Sequence, residues 1–453
     1  MYRDPVQSLE PLPSRPAALR ALRVGMIGIG TVGAGTFRVL SRNQADIAGR
    51  AGRSIELVMV AARNLARAAS IVGGTVPVTD DPLRVATHPD VDVVVEAAGG
   101  TGPARDWVLA AIAHGKHVVT ANKALLAVHG AEIFAAARQH GVAVAYEGAV
   151  AVSIPIVKAL REGLTANRIE WVAGIINGTT NFILSKMEDE GLDFAAALAE
   201  AQALGYAEAD PAFDVEGIDA AHKLTLLAAN AFGTSVRFAD VQVEGITSLQ
   251  RTDVACAAQL GFRIKLLGVA RRREEGMELR VQPALVPASH LMAHVNGSMN
   301  GVMVKGDAAG VTMYYGAGAG SEQTASAVIA DLVDVARLDG THAAQRVPHL
   351  GFHAHAMRAL PVLPRAATCS SHYLRVPVHA ASGVEAISGW LVQQQVPVRQ
   401  VTLATAAQPG TGPQVLVLTQ PVQQGTMDLA LHALQAHPSV AGKVTALRVE
   451  ELA

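Results

Sequence analysis

The chain has 453 residues, enough for about three domains, and half of them are hydrophobic while only 17% are charged, so it can bury more than one core. Aromatics make up only 4%, which leaves packing to small and branched aliphatics. A formal net charge of -2 provides no field for nucleic acid or an anionic membrane, so small-molecule chemistry is the default.

The opening MYRDPVQSLEPLPSRPAALRA is Pro-rich and lacks the apolar core of a signal peptide, and no later segment offers a long uncharged span. A cytoplasmic protein with an N-terminal extension over residues 1–21 is expected. The apolar strand Val24 to Ile27 then runs into Gly28-Ile29-Gly30-Thr31-Val32-Gly33, the G-x-G-x-x-G arrangement of a dinucleotide fold. Gly28 would make the tight turn, Gly30 would let the backbone approach a pyrophosphate, and Gly33 would let the helix pack close to the strand. By itself that motif is weak. It gains weight from the apolar runs Ile55 to Ala62 and Val91 to Gly99, and from KHVVTANK and VAVAYEGAV, which continue a strand-helix alternation. At the end of the second strand an NAD-type site would place an acid on the ribose; here Arg63 stands instead, with Arg67 nearby. A guanidinium suits a 2′-phosphate and argues for NADP, with NAD as the alternative cofactor and plain decoration of a strand end as the alternative for Arg63.

The texture changes near Glu147, where a second domain is expected to begin. The strand-like WVAGII leads to Asn177-Gly178-Thr179-Thr180-Asn181, whose hydroxyls, amides and backbone donors stand at the start of the helix FILSKMEDEG. That is a place for a carboxylate or polar substrate, or simply a well-capped helix. The most informative segment follows, GYAEADPAFDVEGIDAAHK, from Gly205 to Lys223. Glu208, Asp210 and Asp214 fall in a Gly/Pro-punctuated stretch that reads as loop, while Asp219 and Lys223 at i, i+4 share a helix face and can pair. Charge of that density beside the apolar run LTLLAAN reads as an active site; the alternative is a helix start rich in acids for dipole reasons.

Farther on, FRIKLLGVARRR, ELRVQPALVP, GVMVKGDAAG and GVTMYYGAG read as successive strands of an open sheet, and GAGAGSEQTASAVIADLVDVAR as a glycine loop entering a helix. Cys256 and Cys369 have no metal-ligand spacing and no activating neighbours, so both read as buried structural cysteines. His353 and His355 lack helical zinc spacing, and no transition metal is assigned. From about Ser371 the chain shows a β-α-β-β-α-β rhythm.

GIGTVGAGT, GKHVVTANKALLAVHG, INGTTNFIL, GYAEADPAFDVEGIDAAHKL and GAGAGSEQTASAVIADL, in that order and spacing, resemble homoserine dehydrogenase of the monofunctional type with a C-terminal ACT-like segment. The resemblance spans nearly everything from Leu22 onward. It implies an α/β fold in these parts: a Rossmann-like NAD(P)-binding domain over 22–149, an α+β homoserine-binding and dimerisation domain with an open sheet over 150–318, a helix returning to the nucleotide domain over 319–345, a linker over 346–370, and a ferredoxin-like ACT domain over 371–453. It implies reversible reduction of L-aspartate 4-semialdehyde to L-homoserine, within threonine and methionine biosynthesis, by a homodimer or homotetramer.

Carried onto this sequence, the family assigns Lys223 as catalytic acid/base, Asp219 as its partner and Lys123 near nicotinamide and substrate. Gly28, Gly30, Thr31, Val32, Gly33, Arg63, Lys123 and Gly320 would hold the cofactor. Glu208, Asp214, Asp219, Gly205 and Thr179 would meet the substrate, and Glu147, Val150, Val152 and Ile154 a sodium or potassium ion. Two departures stand out. Val152-Ser153 replaces small glycines in the ion loop, and Gln323 replaces a proline after the glycine loop. The Asp-x-Pro-Gly turn of ACT domains appears as Ala380-Ala381-Ser382-Gly383, without the acid that would meet an effector's ammonium, so threonine inhibition is expected to be weak or absent and dimerisation the segment's role. A phosphorylating semialdehyde dehydrogenase would need an activated cysteine, and a silent NADP-binding regulator would have lost Lys123, Asp219 or Lys223.

Overall fold

The computed structural model describes residues 19–404 and 412–452; most of the N-terminal extension expected over 1–21 lies outside them. Two sheets organise the chain. The first is parallel and runs β3-β2-β1-β4-β5-β6, with β1 Leu22–Ile27, β2 Ile55–Ala61, β3 Val78–Thr79, β4 Val93–Glu96, β5 His117–Thr120 and β6 Val144–Ala145. Its central strands are buried on both faces, as parallel strands covered by helices must be, which is why they read as apolar runs rather than alternations. The strand expected over Val91 to Gly99 is shorter, because the buried Glu96 carboxylate accepts the N–H groups of Ala98 and Gly99 and turns the chain after β4.

The second sheet is mixed and runs β12-β11-β7-β9-β10-β17-β13-β15-β14. Its strands are β7 Ile169–Ile175, β8 Gln242–Val243, β9 Phe262–Arg272, β10 Met277–Pro287, β11 Met299–Gly306, β12 Gly310–Ala317, β13 Cys369–Pro377, β14 Val398–Leu403, β15 Gln414–Thr419, β16 Val422–Gln423 and β17 Thr445–Val449, with β8 beside β10 and β16 beside β13. The helix Ile218–Phe232 has every residue from Asp219 onward buried, so it is a core helix whose polar residues need internal partners. The C-terminal unit folds as β13, helix Gly383–Gln393, β14, β15, helix Gln424–Gln435 and β17, joined to the catalytic sheet where β17 pairs in parallel with β10 at Ala284–Arg448 and Leu285–Val449.

Ion pairs hold that junction. Buried Arg280 pairs with Glu278 on its own strand and with Glu450 just past β17. Arg375 of β13 donates to buried Asp253 at 2.6 Å, to Gln414 at 3.0 Å, to Gln250 at 3.1 Å and to Thr445 at 3.0 Å. Asp253 and Gln250 form the capping box of the helix Arg251–Gln259, so one guanidinium ties the C-terminal unit to a helix start in the catalytic unit. Cys256 is buried as expected, but Cys369 is exposed: it is the first residue of β13, where the strand pairs with the two-residue β16 at Gln423.

Candidate active site

The glycine turn has the shape its sequence demands. Gly28 adopts φ +93°, and a Cβ there would lie 2.7 Å from the backbone of Ala97 and Ala98. A Cβ on Gly33 would stand 2.3 Å from the Gly28 carbonyl oxygen, whereas the corresponding space at Gly30 is open. The helix Thr31–Arg42 begins there with unsatisfied N–H groups and no side-chain cap, so this cradle fits a dinucleotide pyrophosphate. Arg63 and Arg67 are exposed just beyond β2, and the Asn64 side chain caps the helix on which Arg67 sits.

Between the two sheets lies a cleft of about 420 Å³, in the range of small-molecule sites. From the nucleotide side it is lined by Thr31, Val32 and Lys123; from the catalytic side by Asn177, Gly178, Thr179, Gly205, Tyr206, Asp214, Asp219 and Lys223; and from the connecting segments by Val150, Val152 and Gly320. Residues the sequence scattered from Thr31 to Gly320 therefore share one cavity. Glu208 does not line it. Its residue is exposed, and its carbonyl accepts from Gln202. Asp214, read as loop, sits in the single helical turn Ala212–Val215 that Pro211 starts, proline being pre-set for a helix's first turn.

Asp219 is the hub. Its Oδ2 accepts from Lys223 Nζ at 2.8 Å and from Asn177 Nδ2 at 2.9 Å, and its Oδ1 lies 3.0 Å from Lys123 Nζ. Lys223 Nζ also donates to the Ile176 carbonyl at 2.7 Å. Burial pushes the Asp219 carboxyl up, but the charges of Lys223 and Lys123 and the hydrogen bonds from Lys223 and Asn177 more than reverse this and hold it well below the usual carboxylate range. Lys223 is pushed down by burial, with Asp219 opposing. Asp214 is pushed up by burial and by Asp219, while Asn177 bridges the two acids by donating to Asp214 at 2.7 Å. Lys123 caps nothing in its own domain; it opens the helix Lys123–Gln139 and reaches across the cleft, with its ammonium 5.8 Å from the Phe213 ring centroid.

Thr179 Oγ1 donates to the Tyr206 carbonyl at 2.7 Å, which closes the Gly205 turn onto the helix Gly178–Asp189. Asn177 caps that helix by accepting from Thr180 N–H. Reading the sequence found this loop as a donor site but missed Asn177 as the bridge between carboxylates, since that depends on a helix forty residues away. It also missed Tyr206 and Ser298, which line the cleft without any motif.

Glu147 is buried, and its two carboxylate oxygens accept the N–H groups of Val157 and Lys158 at 2.9 and 2.8 Å. The Ile154 carbonyl accepts from Ile156 N–H at 2.8 Å. Val152 holds φ +54°, a strained value for a β-branched residue, at the position where small glycines were expected. Beside Glu147, Asp331 is fully buried; burial and the Glu147 charge push it up to about 7, and its Oδ1 has no partner among the described residues. The unpartnered Asp331 Oδ1 is the oxygen here that a cation would suit; both Glu147 oxygens and the Ile154 carbonyl already accept backbone N–H groups, and Lys158 and Arg161 supply positive charge.

Residues 28–147 match the family model "Homoserine dehydrogenase, NAD binding domain", and residues 155–333 match the model "Homoserine dehydrogenase". A homoserine dehydrogenase of Pseudomonas aeruginosa is 53% identical over 436 residues, covering 96% of this chain and 100% of that protein, and one of Neisseria gonorrhoeae is 46% identical over 435 residues with the same coverage. The crystal structure of a homoserine dehydrogenase from Thiobacillus denitrificans superposes with a TM-score of 0.90 at 52% identity, covering 96% of this chain and 99% of that one. With a nucleotide cradle, a lysine-aspartate-lysine hub and this likeness along nearly its whole length, the chain belongs to the homoserine dehydrogenase family, NAD(P)-linked oxidoreductases of aspartate-family amino-acid biosynthesis.

Proposed function

We propose that Lys223 is the acid/base of the reversible reduction of L-aspartate 4-semialdehyde to L-homoserine, and that the clamped Asp219 sets its geometry and charge. The observation that carries this reading is the pair of contacts from Asp219 to Lys223 and Lys123, at 2.8 and 3.0 Å, one lysine from each side of the cleft. Nicotinamide, when bound, supplies or accepts the hydride. The protein must protonate the carbonyl oxygen as it becomes an alkoxide. A lysine pushed down by burial gives up that proton more readily than a solvated one, and in the oxidation direction it takes the hydroxyl proton as a free amine.

Lys123 adds positive charge near the same oxygen. Asp214, Gly205 and Thr179 bind the amino-acid end of the substrate, with Glu208 reaching in from the exposed lip. Gly28, Gly30, Thr31, Val32, Gly33 and Gly320 hold the pyrophosphate and nicotinamide portions. Arg63, which makes no ion pair among the described residues, selects the 2′-phosphate of NADP over NAD. A sodium or potassium ion at Glu147, Val150, Val152 and Ile154 has a structural place in the segment joining the domains, and no step of the reaction runs through it. The strand order β17-β13-β15-β14 supports reading the C-terminal unit as an ACT-like module that serves dimerisation, with 22–149, 150–318 and 371–453 as the proposed limits of the three domains. No helix among the described residues is long and apolar enough to cross a membrane.

The test is oxidation of L-homoserine followed by absorbance at alkaline pH, with NADP and then NAD, each with sodium, potassium or choline chloride. Turnover of homoserine but not of other hydroxy amino acids supports the reading, and the cofactor ratio tests Arg63. Absence of turnover by a protein that binds NADPH would refute it.

A further inference from the structure

One buried amide in the catalytic unit has nothing to bond. Asn300 of β11 is 0% exposed, and neither its Nδ2 nor its Oδ1 has a hydrogen-bond partner among the described residues. Leaving such a group unpaired is expensive, and an apolar side chain of the same shape would avoid the cost. Its surroundings are otherwise well supplied. Asn181, one helix away, donates through Nδ2 to the carbonyls of Val295, Gly297 and Met299 at 3.0, 2.9 and 3.1 Å. Lys265 donates to Val295 and Asn296 of the same turn at 2.8 and 3.0 Å. Most polar groups around this turn are thus bonded; among the described residues Asn181 Oδ1 has no partner, and in Asn300 the whole amide has none.

What Asn300 faces is the loop Ala317–Gly320, which lines the cleft. A Cβ on Gly318 would fall 2.3 Å from both amide atoms of Asn300, so the loop backbone lies directly against it and only glycine permits the approach. Among the described residues no hydrogen bond is donated by the backbone N–H of Gly318, Ala319 or Gly320. Both ends of the loop are anchored. Ser153 Oγ donates to the Ala317 carbonyl at 2.7 Å, and Ser321 Oγ donates to the carbonyl of Thr31, in the glycine turn, at 2.6 Å. Between those anchors lie unpaired backbone donors, and beneath them an unpaired amide that offers both an acceptor and a donor.

We propose that Asn300 is a positioning residue for the cofactor: its amide is held for the backbone of the Ala317–Gly320 loop and fixes that loop as it closes on the bound nicotinamide dinucleotide. The stability lost by burying an idle amide is then returned as cofactor affinity. This rests on the reading, given above, that Gly320 and its loop face the cofactor.

Asn300→Leu separates the two quantities. The cofactor-free variant is expected to melt at a higher temperature than the parent in differential scanning calorimetry, because the unpaired amide is gone. Its Kd for NADPH, read by fluorescence titration, is expected to rise about tenfold, the worth of one or two net hydrogen bonds. Its KM for homoserine should stay within about twofold, since no substrate contact changes. Asn300→Ser, too short to reach the loop, should show the same loss of NADPH affinity and serves if the leucine does not fold. An unchanged Kd in a folded variant overturns the proposal. So does a lower Tm with parallel losses of cofactor and homoserine affinity, which marks a merely structural side chain. Gly318→Ala displaces the loop itself: if it weakens NADPH binding while Asn300→Leu does not, the loop serves the cofactor without Asn300. If neither variant weakens it, the loop's place in the cofactor site fails as well.

Discussion

Replacing Asp219 with asparagine keeps the shape of the hub and removes its charge. The residue is 4% exposed; its carboxylate accepts charge-assisted hydrogen bonds from Lys223 and Asn177 and forms an ion pair with Lys123. An amide oxygen can still accept from one lysine, as a neutral partner; its NH2 group faces the other lysine or Asn177 and cannot accept. One charge-assisted bond, about 1.5–3 kcal/mol, is lost outright and a second is weakened, a total near 3 kcal/mol. If the hub is fully engaged in the transition state, kcat/KM falls by about a hundredfold. The pH dependence adds a sign. Asp219 raises the affinity of Lys223 for its proton against the lowering effect of burial, so without it Lys223 loses that proton more easily. In homoserine oxidation, where the free amine is the base, the rising limb of kcat must move to lower pH even as its plateau drops. Stability shifts as well. A carboxylate held low in the folded state stabilises above its unfolded pKa of about 4 and loses that contribution as pH falls, so the variant should show a flatter acid limb of Tm against pH. Steady-state rates from pH 6 to 10, with Tm measured on the same samples, decide the matter. A loss below threefold with an unmoved pH profile would refute the coupled unit.

Lys223→Ala should lower kcat by at least about a thousandfold, within the range for losing a general acid/base, while fluorescence titration shows NADPH binding nearly intact; near-normal turnover removes Lys223 from the chemistry. Arg63→Ser should reduce the preference for NADP over NAD about tenfold through loss of one charge-assisted contact, read as the ratio of kcat/KM values, and an unchanged ratio would place the 2′-phosphate elsewhere. Arg375→Met strands the fully buried carboxylate of Asp253. Losing one member of such a pair costs about 3–5 kcal/mol, seen as a lower Tm, and an unaltered melting curve would show that the C-terminal unit is not coupled through this contact. L-Threonine at millimolar concentration should leave the rate unchanged, because residues 380–383 are Ala, Ala, Ser and Gly; strong inhibition would show that effector binding needs no acid in that turn.

Local chemistry made part of the site readable in advance. Gly28, Gly30 and Gly33 announce a phosphate cradle because only their backbone geometry is at stake, and Asp219 and Lys223 pair because helical spacing alone puts them together. Contacts made across the fold carry no such signal. Lys123 came from resemblance to a family, not from spacing, since its carboxylate partner lies in the other domain. Ser298 and Asn300 sit in a turn and a strand whose sequence, VNGSMN, is ordinary. Glu208 belongs to the acidic stretch by sequence yet stands outside the cleft, because the Gly205 turn carries it to the lip. The exposure of Cys369 escaped for a related reason: nothing in its flanking Thr368 and Ser370 reveals that this first residue of β13 lies beside the short β16.

The place of β17 has a consequence for how the molecule is made. This strand, Thr445–Val449, comes last in chain order among the described elements, yet it lies between β10 and β13 in the middle of the larger sheet. Until it emerges from the ribosome, the Ala284–Leu285 stretch of β10, beyond the part that β8 covers, lacks its partner strand, and Arg280 lacks the Glu450 side of its pairing. The larger sheet of a nascent chain is therefore unfinished until residues 445–450 are made, with part of a strand edge available to neighbouring chains. Deleting residues 442–453 would therefore take a central strand out of the sheet and the Glu450 partner from Arg280.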